Sequence, residues 1–531
     1  MTDLDAQLAQ HTAIIDFLTT APSLWDCGDS IAPDISKIET HGATVLLGKS
    51  YAVKLKKPVL FDHMDYSSPA KRIAYCKREV TLNKRTAPQL YLAAKPIYQT
   101  QANTFCLDKN GDPIEYFVHM RRFPDNNRLD QILATEGLPD LLAEQLCDEI
   151  SKFHKQAVVY SNLAEIPDFH EVIDQNFKQL DNFCPALFDQ KQITNFQQTL
   201  HLRYSQLKPL ENQRIADTWI RMGHGDLHLQ NICLFDQKPV IFDAIEYEDK
   251  FAVGDVLYDL SFLLMDLLDQ KHPKAANLIF NQYIHQMGWT GSADDLRVLE
   301  FMPFFLAMRA GIRCHVAANR FVQSDVPADK DTFKHQAVTY FEAACSYLAP
   351  SPPQVIAIGG FSGSGKSTLA ANLAPFIGAA PGALRLRSDV IRRLLTGADD
   401  YSPMPQSAYT QAQSIAVYAH MRELASAAIK AGQSVIFDAV LDRKEDRQAF
   451  EQVAKDINVP FCGLWLSVSH AEMAARITSR KRDASDATVD VLDAQLAANN
   501  GPTDDWVTVD ANDDQGQVAR RARHLIGKHI K

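Results

Sequence analysis

The sequence predicts two domains of different class, an α+β domain followed by an α/β domain built on a five-stranded parallel sheet. Three observations carry that reading. Short strand-like runs between residues 38 and 55 give way to long stretches of helical period that continue to Tyr347. Three prolines in four residues, Pro350-Ser351-Pro352-Pro353, then break the chain, since proline fits neither a helix interior nor a central strand. Beyond them, apolar runs of strand length alternate with helical segments, the pattern of a parallel sheet covered by helices. The boundaries drawn from this are residues 1–349, a linker at 350–353, and residues 354–531.

At 531 residues the chain exceeds what one core holds. With 46% hydrophobic and 22% charged residues it has the composition of an ordered globular protein. The net charge of −11 is unevenly placed: residues 351–531 carry 20 Lys+Arg against 20 Asp+Glu, leaving 34 against 45 for the first 350. Neither part has the basic excess that binding a nucleic-acid polymer needs. Nine cysteines stand singly with no Cys-x-x-Cys pair, which suits a reducing compartment and excludes a zinc ribbon. Met1-Thr2-Asp3-Leu4-Asp5 is acidic where a secretory leader is basic. The longest apolar stretch, Val256 to Leu268, is too short to span a bilayer and is interrupted by Asp259 and Asp266. The expectation is a cytoplasmic protein without a membrane partner.

Leu4, Leu8, Ile14, Ile15 and Leu18 mark a leading helix. Ile38–Thr40, Ala43–Leu47 and Ser50–Leu55 read as three strands around a turn, Thr40-His41-Gly42-Ala43, that has one glycine. Ala52, Lys54 and Lys56 share one face of the third strand, so alternation does not separate the two lysines. Ala70–Arg85 reads as a helix bearing Glu79 among Lys77, Arg78 and Lys84, where an exposed charge pair is the alternative. Ile114–Met120 is a strand, and Pro139–Lys155, Phe169–Phe183 and Ile193–Lys208 are helical by period.

Met222-Gly223-His224-Gly225-Asp226-Leu227-His228-Leu229-Gln230-Asn231 follows, and then the strands Ile232–Phe235 and Pro239–Phe242 before Asp243. On a tight loop Asp226 can accept the proton of an attacking hydroxyl. Asn231 offers an amide oxygen to Mg²⁺, and Asp243 a full carboxylate where the metal bridges phosphates. The bland alternative is a polar turn between buried strands. Asp255 is placed to cap the next helix.

His-Gly-Asp-x-His-x-x-Asn resembles the aminoglycoside phosphotransferase and choline kinase branch of the protein-kinase-like fold. The resemblance implies a two-lobe domain in which Lys54 contacts the α/β-phosphates of ATP, Glu79 holds that lysine, and backbone around Met120 meets adenine. It also implies that Asp255, besides capping the helix, braces the catalytic loop.

After the linker, Val355–Ile358 runs into Gly359-Gly360-Phe361-Ser362-Gly363-Ser364-Gly365-Lys366-Ser367-Thr368, a phosphate-binding loop between a buried strand and a helix. Its glycines, Gly360, Gly363 and Gly365, let amides of the loop, including Ser362, Ser364 and Thr368, face phosphates at a helix N-terminus. Lys366 reaches the β/γ oxygens and Ser367 the Mg²⁺. Leu384–Arg387, Val435–Asp438, Cys462–Leu466 and Val507–Asp510 complete five strands. Asp438 is a candidate acceptor for metal-bound water. Ser388-Asp389-Val390-Ile391-Arg392 resembles the gluconate-kinase, polynucleotide-kinase and zeta-toxin group, which implies that Asp389 takes a substrate hydroxyl and Arg392 holds it. A helix N-cap explains Asp389 as well. Arg476 and Arg480 share a helix face, as lid arginines do in small P-loop kinases, although a basic helix end is favourable by itself.

The order of parts resembles an uncharacterised bacterial group described as bifunctional aminoglycoside phosphotransferase/ATP-binding proteins. The resemblance implies two ATP- and Mg²⁺-dependent kinase heads acting on hydroxyls of small molecules such as sugars or amino sugars. Two alternatives stay open: one head catalytic and the other a nucleotide-binding regulator, or a C-terminal head acting on a nucleotide sugar or polynucleotide end. No oligomeric state is implied.

Overall fold

A computed structural model describes residues 3–25, 34–61, 64–183, 186–398, 403–479, 484–498 and 506–529. The chain forms two compact units, Met1–Pro167 with Ile215–Leu263, and Asp168–Arg214 with Leu264–Lys531.

The first unit is organised on a six-stranded antiparallel sheet. Its order is Ser36–Glu39, Ala43–Leu47, Tyr51–Lys56, Glu115–Arg121, Tyr91–Gln99, Phe105–Cys106. Alternation along Tyr51–Lys56 decides what each face carries. Val53 and Leu55 join Leu46, Ile97 and Phe117 in a core closed by Ile14, Ile15 and Leu18 of the leading helix Asp3–Thr20. The opposite face carries Lys54 and Lys56, and there Val118 packs with Cys76 and Val80 of the helix Pro69–Asn83 and with Cys233 and Val240. Those last two belong to the hairpin Ile232–Phe235 and Lys238–Ile241. Its turn is two residues, Asp236 and Gln237, with φ of +50° and +63°, one shorter than the sequence suggested. A two-residue turn with both φ positive matches the twist of the paired strands.

In the second unit five parallel strands stand in the order Leu384–Arg387, Val435–Asp438, Val355–Gly359, Phe461–Ser467, Val507–Asp510. The first strand in sequence lies in the middle, with later strands added on both sides, so the C-terminal ends of Val355–Gly359 and Val435–Asp438 bound a crevice. Helices that precede the proline-rich break belong to this same unit. Asn277 Nδ2, on the helix Pro273–Gln286, donates to Pro381 O and Ala383 O at 3.1 Å each. Arg385 N donates to Asn281 Oδ1 at 2.6 Å. The compact units therefore do not divide at 350–353, and independent folding of residues 354–531 is a proposal taken up below. No helix among the described residues is long and apolar enough to cross a membrane.

Candidate active sites

The first site gathers side chains from four stretches of the first unit. Gly225, at φ +84°, turns the chain into Asp226, and a Cβ there would meet Phe251 O at 2.9 Å. The loop is held from behind by Asp259 on the helix Val256–Asp269. Its carboxylate accepts His224 N at 2.7 Å and Gly225 N at 2.9 Å, and lies 3.1 Å from His154 Nε2. A Cβ on Gly223 would stand 2.7 Å from the same carboxylate, so the glycine lets it approach. Asp255 caps the helix, accepting Leu257 N at 2.8 Å. The brace expected at Asp255 is instead Asp259, one helical turn further on, because it is the Asp259 carboxylate that meets the loop amides, while that of Asp255 is turned to its own helix. The signal of Asp259 in the sequence is an acid inside the apolar stretch Val256–Leu268.

Asn231 Nδ2 donates to Asp226 Oδ2 and to Asp226 O, each at 2.9 Å, and His228 Nε2 lies 3.2 Å from the same Oδ2. The Asp226 carboxylate is oriented yet more than a third exposed, as a base needs to be. Asn231 spends its amide hydrogens on Asp226, so Oδ1 is the atom that could take a cation. His224 Nε2 lies 3.0 Å from Phe242 O, tying this loop to the residue before Asp243. Burial pushes the His224 pKa below its ordinary value despite the nearby Asp259. Asp243 itself sits at φ +65°, with its amide donating to Tyr91 OH at 3.2 Å. The next amide, Ala244 N, donates to Asn83 Oδ1 at 2.9 Å.

Lys54 reaches into this group from the sheet. Its Nζ donates to Asp243 Oδ1 at 2.7 Å and lies 2.9 Å from Glu79 Oε1. Burial lowers the Lys54 pKa, but Asp243, Glu79 and Glu246 outweigh it and hold the value well above the ordinary lysine range. Glu79 is fully buried, so the exposed-pair alternative fails. Burial raises its pKa while Lys54 and Lys56 pull it well below the usual carboxylate range. Alternation could not find Lys56, and nothing in the sequence marked Glu246, although both sit in this cluster. Met120 lies next to the end of its strand, opposite Ala52 on one side and Tyr91 on the other.

The second site is a cavity of about 940 Å³ at the phosphate loop. Gly360, at φ +149°, would place a Cβ 2.7 Å from Ser364 Oγ; a Cβ on Gly363, at φ +78°, would meet Met473 O at 2.5 Å. Gly365, at φ +93°, opens the helix Lys366–Leu373. Lys366 Nζ donates to Phe361 O at 2.9 Å across the loop. Ser362 N donates to Gln495 Oε1 at 2.9 Å, a contact without a sequence signal, while Ser364 Oγ is buried without a hydrogen-bond partner. Ser367 and Thr368 line the cavity from the first helical turn.

Asp438 ends its strand almost fully buried, with Arg387 Nε 3.7 Å from its carboxylate and Arg387 Nη2 3.9 Å from Asp389. Asp389 is the second residue of the helix Ser388–Thr396, whose cap position is Arg387, so the N-cap explanation does not apply. Arg392 is buried on the same helix, its guanidinium 5.2 Å from the Tyr409 ring centre and Nη1 donating to Ala408 O at 2.8 Å. Arg476, on the helix His470–Ser479, donates to Glu472 at 2.9 Å, Ser364 O at 3.3 Å and Ala511 O at 3.0 Å. Asp389, Arg392, Arg476 and Asp438 all line the cavity. Arg480 lies outside the described residues.

Among the described residues no group of three or more His, Cys, Asp or Glu is set to hold a metal unaided. The pairs Asn231 with Asp243, and Ser367 with Asp438, are too few for Mg²⁺ alone and suit a cation whose remaining ligands are phosphate oxygens and water. The phosphate loop likewise fits a nucleotide, with its positive-φ glycines and helix N-terminus around a buried hydroxyl that lacks a partner.

Residues 355–502 match the family model described as AAA domain. The chain thus joins a unit on a six-stranded antiparallel sheet to one that carries a phosphate loop on a five-stranded parallel sheet. Uncharacterised proteins of Mycobacterium tuberculosis and Mycobacterium bovis are each 28% identical to it over 501 residues, 93% of this chain and 95% of theirs. The chain is similar to a gluconokinase from Sinorhizobium meliloti 1021, at 20% identity and a TM-score of 0.26 over 34% of this chain and 94% of that one. It is also similar to aminoglycoside 2'-phosphotransferase-IIIa in its GDP complex, at 14% identity and a TM-score of 0.37 over 62% of this chain and 98% of that one.

Proposed function

We propose that the chain is an ATP-dependent kinase with two heads, each transferring the γ-phosphoryl group to a hydroxyl of a small molecule in a cytoplasmic setting. One observation supports this above the others. Lys54, Glu79 and Asp243, from distant stretches of sequence, meet within hydrogen-bond or ion-pair distance, and beside them Asn231 bonds to Asp226 and accepts Phe242 N at 2.9 Å through its backbone carbonyl. In the first head Asp226 accepts the acceptor hydroxyl's proton as the oxygen bonds to phosphorus, and the bond from phosphorus to the β–γ bridging oxygen breaks, releasing ADP. Lys54 steadies the phosphates, and Asn231 with Asp243 would hold Mg²⁺, which neutralises the charge on the leaving oxygens when bound. In the second head Lys366 and Arg476 face the transferring group and Asp389 takes the hydroxyl proton, with Arg392 lining the acceptor side.

The test is a metabolite-extract phosphorylation screen with γ-labelled ATP, run on the full chain and on its Asp226→Asn and Lys366→Ala forms. Two products, each lost in a different variant, support the reading. A chain that labels nothing, or one product lost in both variants, overturns it in favour of no kinase or of one catalytic head with a regulatory partner.

A further inference from the structure

The two lysines on the strand Tyr51–Lys56 have different partners. Lys54 donates to Asp243, and its approach to Glu79 Oε1 is an ion pair without hydrogen-bond alignment. Lys56 Nζ donates to the other oxygen, Glu79 Oε2, at 2.8 Å, and also to Glu246 Oε1. Tyr66 OH donates to Glu246 as well and lies 3.2 Å from Lys56 Nζ, with its ring centre 4.7 Å away. The Lys56 side chain is 1% exposed and that of Lys54 15%. We infer that Lys56 is the positioning residue of the first head: it holds Glu79 and the Asp243–Glu246 segment together, leaving the contact between Lys54 and Asp243 to exchange when nucleotide and metal arrive.

This inference rests on the reading of that head as a nucleotide site. There Lys54 has to turn to phosphate oxygens and Asp243 to a cation, so the 2.7 Å bond between them is given up. Glu79 is fully buried and cannot be left without a hydrogen-bonded cation. Lys56 already supplies that bond, and it is too deeply enclosed to leave for a ligand. Glu246 stands three residues after Asp243, so anchoring it fixes the backbone that presents the metal-binding carboxylate. Without Lys56, the one remaining cation of the pair would be drawn to Glu79 and Glu246, away from phosphate.

The experiment uses the full chain carrying Lys366→Ala, which weakens nucleotide binding at the second loop so that the first site is read separately. Calorimetry measures AMP-PNP affinity with Mg²⁺ and with EDTA. Lys56→Met and Glu246→Gln should each lose about tenfold or more of the gain that Mg²⁺ confers, the worth of a charge-assisted bond. The double variant should lose no more than the worse single one, because both changes remove the same contact. Should Lys56→Met fail to fold, the isosteric Glu246→Gln decides. Affinity indistinguishable from the parent overturns the inference. So does an equal loss with and without Mg²⁺, the mark of general loosening. A parent that binds no nucleotide at all instead overturns the nucleotide-site reading beneath it.

Discussion

On the proposed reading the two sites would meet one problem, holding a polyphosphate, by opposite means. The phosphate loop is contiguous: Gly360 to Thr368 supply amides, lysine and hydroxyl within one turn. The Asp226 site is assembled from Lys54, Glu79 and Asp243–Glu246, joined by ion pairs of the strand lysines across up to 190 residues of sequence, and from Asp226–Asn231, tied to them through the backbone at Phe242. A contiguous site depends on backbone conformation, which its glycines fix. A dispersed site depends on charge pairs, so it carries buried ions and is exposed to pH and to loss of any one partner. The predictions below test that contrast, beginning with the largest effect.

Asp226→Asn in the first head should leave nucleotide affinity intact and cut transfer by ~10²–10⁴, the usual worth of a general base. Rate and affinity measured on any acceptor found in the labelling screen check this, and an unchanged rate removes Asp226 from the role. Lys366→Ala acts on binding instead. It should weaken Mg·ATP binding at the second site by about 10- to 100-fold, the value of one or two charge-assisted hydrogen bonds. Wild-type affinity there would mean that the loop's amides suffice and that the contrast between the sites is still sharper.

The same contrast explains what the sequence revealed. The loop Gly360–Thr368 and the spacing of Asp226, Asn231 and Asp243 are local patterns, and the strands around them follow from apolar periodicity. Asp259 was visible only as an acid in the apolar run Val256–Leu268, because its partners, the amides of His224 and Gly225, carry no residue signature. Lys56 was hidden since strand alternation assigns it the face of Lys54, and only the packing of the helix Pro69–Asn83 separates them. Gln495 reaches Ser362 N from a helix that nothing in its own pattern distinguishes. The compact units also escaped the linker argument: prolines mark where regular structure stops, whereas Asn277 and Asn281 mark where packing continues.

A dispersed, charge-paired site should reveal itself in acid. The Glu79 carboxyl is held well below its ordinary value by Lys54 and Lys56 in spite of burial. A depressed folded-state pKa contributes stability that is present above the unfolded value, about 4.3, and is lost as pH falls below it. Lys54 and Lys56 are raised, so their contribution is complete throughout the neutral range and lost only in strong alkali. Denaturant unfolding followed from pH 7 to 3 should show the first unit weakening below about pH 4.3, and Glu79→Gln should flatten that dependence. An unaltered slope would place the acid-sensitive group elsewhere.

The smallest expected effect concerns the linker. We propose that residues 354–531 fold alone, although the helix Pro273–Gln286 bonds to their sheet in the full chain. The cut would remove the acceptor and donors that Asn281 and Asn277 offer to Arg385 N, Ala383 O and Pro381 O. All five parallel strands and every residue of the phosphate loop stay within the fragment. Groups at a cut surface regain water, so each lost bond should cost only its net worth, about 0.5–1.5 kcal/mol, not the larger penalty of a buried unpaired group. Asn277→Ala in the full chain should likewise cost about 1–3 kcal/mol, because its partners there stay buried. The fragment is therefore expected to be soluble, somewhat less stable than the same unit in the intact protein, and able to bind one equivalent of Mg·ATP with unchanged affinity. Calorimetry and denaturant unfolding of the fragment beside the full chain measure both quantities. An insoluble fragment, or one that binds no nucleotide, would show that the helices before Pro350 are part of the second head's folding unit, and that its boundary is set by packing and not by the prolines.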